Sequence, residues 1–219
     1  MAAAMMVSCI PAVSAAPAAP AVSYSQLASS VDFPALLMRT PLLQYEIWAY
    51  RDSTQTENRG FGKYVRINYD QTVQKIAYGV YAYTDGNAEV HIFRTDAETG
   101  LITDERGWEM ADYGNGLYWI RPGDNSGIYF ENGKLHHIYT SKYDSNTGEI
   151  PNIYIDYNEQ GFISAVRYVV QGDTTYTTMS LEYTTLDNGM TVCTAIRSAG
   201  STTYLLYSNS TGELVGYAS

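Results

Sequence analysis

Thr174-Thr175-Tyr176-Thr177-Thr178-Met179-Ser180-Leu181-Glu182-Tyr183-Thr184-Thr185 reads as one extended strand. Successive side chains of a strand alternate between faces. Thr175, Thr177, Met179, Leu181 and Tyr183 therefore share one side, and Thr174, Tyr176, Thr178, Ser180, Glu182 and Thr184 the other. One side is drier, as in an antiparallel sheet with one face packed and one solvated. Val65, Ile67 and Tyr69 oppose Tyr64, Arg66 and Asn68 in the same manner. Turn pairs stand between such runs: Asp85-Gly86, Asn115-Gly116, Asn132-Gly133, Thr147-Gly148, Gln160-Gly161 and Asn188-Gly189. These dipeptides supply the positive φ angles that two-residue hairpins need.

Working outward, strands are expected at 43–50, 62–69, 73–83, 88–95, 117–121, 127–131, 134–141, 151–157, 162–170, 174–185, 190–197, 202–208 and 213–218. Short connections between them imply an up-and-down meander. About eleven to thirteen twisted strands must curl into a half-barrel or barrel-like sheet, or split into layers. The expected fold is thus an all-β, curled antiparallel meander. A short helical segment opens it: Tyr24, Leu27, Ala28 and Val31 have one-face helical spacing, with a stop and restart at Asp32-Phe33-Pro34 and a second stop at Thr40-Pro41. The polar stretch 51–61 reads as a mobile loop, and 100–123 as a connection running into the strand at 117–121.

The chain is read as an export signal with an Ala/Pro-rich linker over 1–22, then one β domain over 23–219. Residues 2–16 are apolar and end in small residues, with Val13-Ser14-Ala15 resembling a signal cleavage site. Periplasmic, cell-surface or secreted localisation follows from that reading. Met6-Val7-Ser8-Cys9 resembles a bacterial lipobox, which implies a lipoprotein tethered to the membrane through Cys9. Cys193 alternates with Val192 and Thr194 and reads as a small buried hydrophobe. A net charge of −10, with 13 Lys+Arg against 23 Asp+Glu, argues against nucleic acid as a partner, since that affinity is built from clustered cations.

Tyr157-Asn158-Glu159-Gln160-Gly161-Phe162-Ile163-Ser164-Ala165-Val166-Arg167-Tyr168 resembles the YD-repeat unit of RHS-type bacterial surface proteins, with Asn158 in place of its Asp. The resemblance implies a strand-turn-strand unit. Tyr83 through Asp96, with Leu181-Glu182-Tyr183 and Asp187-Asn188-Gly189, resembles the periplasmic lipoprotein-carrier group, the LolA-like and RseB-like proteins, together with an amphipathic helix at 22–39. That group implies a half-barrel whose concave apolar face holds acyl chains beneath a helical lid.

The three histidines, His91, His136 and His137, read as ordinary strand residues. His136 and His137 are adjacent, so a regular strand points them to opposite faces, away from a common metal ion. No cofactor is implied. The carboxylates sit mostly beside turn glycines, as solvated loop residues do. Aromatics crowd the middle third, and Trp108, Tyr118, Trp119 and Tyr129 are the candidate ligand-binding residues, because Tyr and Trp join an apolar body to a polar tip. The first functional expectation is a non-enzymatic cell-envelope protein that binds an apolar, lipid-like ligand on a concave sheet or acts structurally. The alternatives are a surface protein recognising carbohydrate or protein through exposed Tyr/Trp, and a carboxylate-dependent hydrolase.

Overall fold

The computed structural model describes residues 35–39, 46–51, 55–123, 126–139, 152–170, 174–198 and 200–218. All of them belong to one compact unit, Asp32–Ser219. The expected signal and Cys9, and the helix proposed from Tyr24 to Val31, lie outside the described residues.

The described residues contain strands and no helix. Three strands, β1 (Ala35–Arg39), β2 (Glu46–Arg51) and β3 (Val65–Ile67), form a small antiparallel sheet. The others are β4 (Thr72–Ala77), β5 (Val80–Thr84), β6 (Val90–Thr95), β7 (Ile102–Thr103), β8 (Glu109–Gly114), β9 (Leu117–Arg121) and β10 (Gly127–Glu131). They continue as β11 (Lys134–Tyr139), β12 (Asn152–Tyr157), β13 (Ile163–Val170), β14 (Thr174–Thr185), β15 (Thr191–Ser198), β16 (Ser201–Tyr207) and β17 (Leu214–Ala218). From β4 to β17 every strand pairs antiparallel with the next, so the expected meander is the architecture.

The meander closes on itself once. The start of β11 meets β4 through Lys134↔Thr72, with Val73 N–H donating to Gly133 O at 2.9 Å and Leu135 N–H to Gln71 O at 3.1 Å. Strands β4 to β11 thus form an eight-stranded barrel. A barrel of that size has an interior just wide enough for side chains to fill. Here Tyr81, Tyr83, Phe93, Met110, Tyr118, Ile120, Phe130 and Leu135 are buried in the core, with Tyr83 and Phe130 edge to face at 5.7 Å. The rest of β11 pairs with β12 instead, from His137↔Tyr154 to Tyr139↔Asn152, and β12 to β17 continue as an open sheet. The buried residues of that sheet, among them Ile155, Val166, Leu181, Cys193 and Leu205, share one core with Ile47, Ala49, Phe61, Val65 and Ile67 from the N-terminal part.

Several expectations change. Ala35-Leu36-Leu37-Met38-Arg39 forms β1, paired from Ala35↔Tyr50 to Arg39↔Glu46, and not the end of a helix. These good helix formers follow the strand partner that tertiary structure provides. The run 73–83 is two strands turned at Gly79 (φ +67). The connection 100–123 contains β7 and β8 as well as β9. At Asp85-Gly86 the positive φ falls on Ala88 (+64), and Gly86 lies where a Cβ would come within 2.7 Å of Asn68 O. Asn115-Gly116 and Asn132-Gly133 do have positive φ at both residues, as two-residue hairpin turns require.

From Gln55 onward the polar stretch is held and not free, because the chain from Gln55 to Tyr64 packs into the molecule. Gln55, Gly60, Phe61 and Gly62 are buried. Asn58 Oδ1 accepts the Gly60 and Gly62 N–H groups at 2.9 and 3.0 Å, and its Nδ2 donates to Thr191 O at 2.7 Å. Gly60 O accepts the Cys193 N–H at 2.6 Å. Arg66 and Asn68 are buried too, so β3 has no wet face; Arg66 Nη2 donates to Asp70 O at 2.8 Å.

Candidate functional site

The registers of six consecutive strands align one outward-facing row: Ala111 on β8, Trp119 on β9, Tyr129 on β10, His137 on β11, Tyr154 on β12 and Arg167 on β13, each directly opposite the next. Their strand neighbours Met110, Tyr118, Ile120, Phe130, Ile153, Ile155, Val166 and Tyr168 are buried, which leaves the row on the solvent side. Adjacent strands lie about 4.8 Å apart, so Trp119 and Tyr154, three strands apart, stand about 14 Å from one another.

The row's rings are positioned by small and polar neighbours. Trp119 is 39% exposed and its indole lies against Gly127, where an added Cβ would meet Nε1 at 2.5 Å. The Arg121 guanidinium stands 5.7 Å from the centre of that indole and pairs with Glu109 at 3.1 Å. His137 stacks on Tyr154 with centroids 4.3 Å apart and planes within 7°. Burial pushes the His137 imidazole pKa below its ordinary value, against the opposing pull of Asn152 Oδ1, which lies 3.0 Å from Nε2, and with the help of neighbouring His136. Arg167 faces Tyr154 at 5.4 Å and is fixed by a bidentate pair with Asp156 at 2.6 and 2.7 Å.

His136 does not point away from His137. The register slips between Tyr129 and Phe130, so that Tyr129 faces His137 while Phe130 faces Leu135, leaving His136 as the extra residue of a β-bulge. A bulge interrupts strict alternation. Both imidazoles consequently reach Tyr154, His136 edge-on at 6.2 Å, and His136 Nε2 lies 3.5 Å from Glu131.

Of the four candidates from sequence, Trp119 and Tyr129 come together in the row. Tyr118 points into the barrel, edge to face with Tyr81 at 5.9 Å. Trp108 lies before β8, half-buried against the core, with the Arg106 guanidinium 3.7 Å from the centre of its indole. His137, Tyr154 and Arg167 belong to the site and escape sequence reading, because only the register joins them.

The carboxylates of the turns are engaged locally. Asp85 accepts the N–H groups of Asn87 and Glu89, Asp96 those of Glu98 and Thr99, and Asp104 those of Arg106 and Trp108. Asp85, Glu89 and His91 bring ligand-type atoms within 4.8 Å of one another, but His91 Nε2 faces Asp85 at 2.9 Å and the Arg106 guanidinium at 3.3 Å. That cationic neighbour makes the trio an ion-pair network in preference to a metal centre. In comparisons with known proteins, no family model and no curated protein matches the chain.

Proposed function

We propose that this chain is an exported, non-enzymatic binding protein of the cell envelope whose outer aromatic row engages a carbohydrate chain. One observation carries the reading: Trp119, Tyr129, His137 and Tyr154 stand in register across four strands of a solvent-facing surface. Aromatic rings offer the apolar faces of sugar rings a broad surface at little entropic cost, and their polar tips stay hydrated. Asn152, Asp156, Glu131 and Arg121 supply flanking donors and acceptors for hydroxyl groups. A span of about 14 Å suits a chain of several sugar units better than a single one.

An apolar ligand on the concave face, the first expectation from sequence, would take the place of Phe61, Phe93, Phe130 and Leu135, which already fill the interior with at most 2% exposure. The outer face is therefore the surface on which the ligand is placed. Export and a tether through Cys9 belong to the same reading and rest on the N-terminal sequence.

The test is a glycan array followed by titration of the best oligosaccharide, read by tryptophan fluorescence. Trp119→Ala and Tyr154→Ala should each abolish binding while Tyr113→Ala, at an exposed site off the row, leaves it unchanged. Binding that survives both row variants, or capture of proteins but no glycan, would overturn the reading.

A further inference from the structure

A second surface, on the barrel wall away from that row, has the features of a strand-addition site. Strand β7 is only two residues long and pairs with β6 through Arg94↔Thr103 and Thr95↔Ile102 alone. Beyond Thr103 the chain turns back at Asp104, whose N–H donates to Trp108 O at 3.1 Å, and so leaves the first half of β6 without a neighbour on that side.

The phase of the ladder shows which groups are left over. Asp85 N–H donates to Glu89 O at 3.0 Å at the end of the β5–β6 hairpin. Bonded pairs recur at every second residue of an antiparallel ladder, so Tyr83↔His91 and Tyr81↔Phe93 are bonded pairs, and the N–H and C=O groups of Val90, Ile92 and Arg94 point away from β5. Those of Arg94 meet β7 at Thr103. Those of Val90 and Ile92 have no backbone partner among the described residues. A cleft of about 710 Å³ lies along this edge, lined by Val90, Ile92, Arg94, Thr103 and Glu105 among others. Val90 is 59% exposed.

An unpaired strand edge beside an open cleft is the surface to which an extended peptide adds as a further strand. The charge around it selects the peptide. Asp96 and Glu105 line the cleft, and Asp85 and Glu89 stand beside His91; Arg106 is taken up by Asp104, which leaves Arg94 as the one cation of the lining residues to offset them. We infer that the cleft along Val90–Phe93 binds an extended, net-basic peptide segment by strand addition, with apolar residues at alternate positions set against Val90 and Ile92.

The experiment titrates fluorescein-labelled (Val-Lys)4 into the full chain by anisotropy, beside (Val-Glu)4 and a (Val-Lys)4 peptide N-methylated at alternate residues. Saturable binding of (Val-Lys)4 is expected, weaker by about tenfold or more after N-methylation, since that removes the backbone donors. Glu105→Lys should weaken it as well, and Val90→Pro should do so by deleting one edge N–H that the β5–β6 ladder does not use. Trp119→Ala should leave it unchanged. Equal binding of the N-methylated peptide would overturn strand addition, equal binding of (Val-Glu)4 would overturn the charge assignment, and no binding of any peptide, or occupation of the edge by a second copy seen as a dimer in ultracentrifugation, would overturn the inference altogether.

Discussion

Replacing Gly62 by alanine should cost far more than the same change at Gly100, although the two residues share a left-handed backbone. Gly62 has φ +81 and Gly100 has φ +72. Confining alanine to that region costs about 1 kcal/mol at either site. At Gly100 nothing lies within 4 Å of the added Cβ, whereas at Gly62 it would stand 2.3 Å from Gly212 O. A main-chain oxygen cannot rotate away, so the loop must retract. Retraction gives up the bond from Cys193 N–H to Gly60 O, worth about 1 kcal/mol, and part of the burial of Phe61, about 2 kcal/mol. Together with the backbone strain, Gly62→Ala should lose about 4 kcal/mol against about 1 for Gly100→Ala. For a domain of this size that is about 8–16 °C of melting temperature against about 2–4 °C. Urea unfolding at 25 °C followed by far-ultraviolet circular dichroism measures both. Should the two variants fall within about 1 kcal/mol of each other, the 55–64 segment is not held against Gly212.

Tyr207 carries a buried hydroxyl with no hydrogen-bond partner among the described residues, whereas Tyr183 donates to Ile163 O at 2.6 Å. Tyr207→Phe should therefore stabilise the protein by about 1 kcal/mol and Tyr183→Phe destabilise it by a similar amount; urea midpoints that move the same way would contradict this. Desolvation raises the Asp112 pKa, but the Gly114 N–H, the Tyr81 hydroxyl and Lys75 outweigh it and hold the carboxyl below its ordinary value. A depressed folded pKa means stability that is fully present above the unfolded value near 4 and lost as pH falls through the folded one. Asp112→Asn should accordingly flatten the decline in stability below about pH 4, seen as a smaller change in urea midpoint than in the parent chain. Burial pushes the Cys193 thiol up to about 12, and its Sγ donates to Ala195 O at 3.4 Å. In a Cys9→Ser chain, an aromatic disulfide reagent at pH 8 should find that thiol silent in the native protein and titratable in urea, and rapid native modification of that variant would place Cys193 at the surface.

What could be read from the sequence was whatever is local. Alternation in 174–185, and the turns at Asn115-Gly116 and Asn132-Gly133, each lie within one hairpin, and the strands expected at 162–170 and 174–185 match β13 and β14 to within a residue. The turn at Gly79 leaves no such mark, because Tyr78 before it continues an apolar-looking run, and Tyr78 is in fact 99% exposed at the tip of its turn. β7 is too short to show a period. Closure of the barrel through Lys134↔Thr72 joins residues 62 apart in the chain, and no local pattern records it. The site divides the same way. Trp119 and Tyr129 stand out as residue types, whereas His137, Tyr154 and Arg167 enter only once four registers are known, and one of those registers contains the bulge that brings His136 onto the same face.

The burial of 55–64 follows from the way the meander closes. One edge of β11 cannot pair with two strands along the same length, so it gives Lys134 to β4 and His137–Tyr139 to β12. Beyond that fork β12 to β17 leave the barrel as an open sheet, whose apolar face is not enclosed by closure of the meander. Cover comes from elsewhere in the chain as well: the one core that holds the buried residues of the barrel and of β13 to β17 also holds those of β2, β3 and Phe61. That segment is polar by composition, yet polarity forbids burial only when hydrogen bonds go unmade. Asn58 makes three, Cys193 N–H donates to Gly60 O, and glycine at 60 and 62 allows approach to Tyr183 and Gly212 at distances any side chain would block. The residues that read as a free loop are therefore the ones best suited to approach another backbone closely, and Phe61 between the two glycines adds apolar cover for the open sheet.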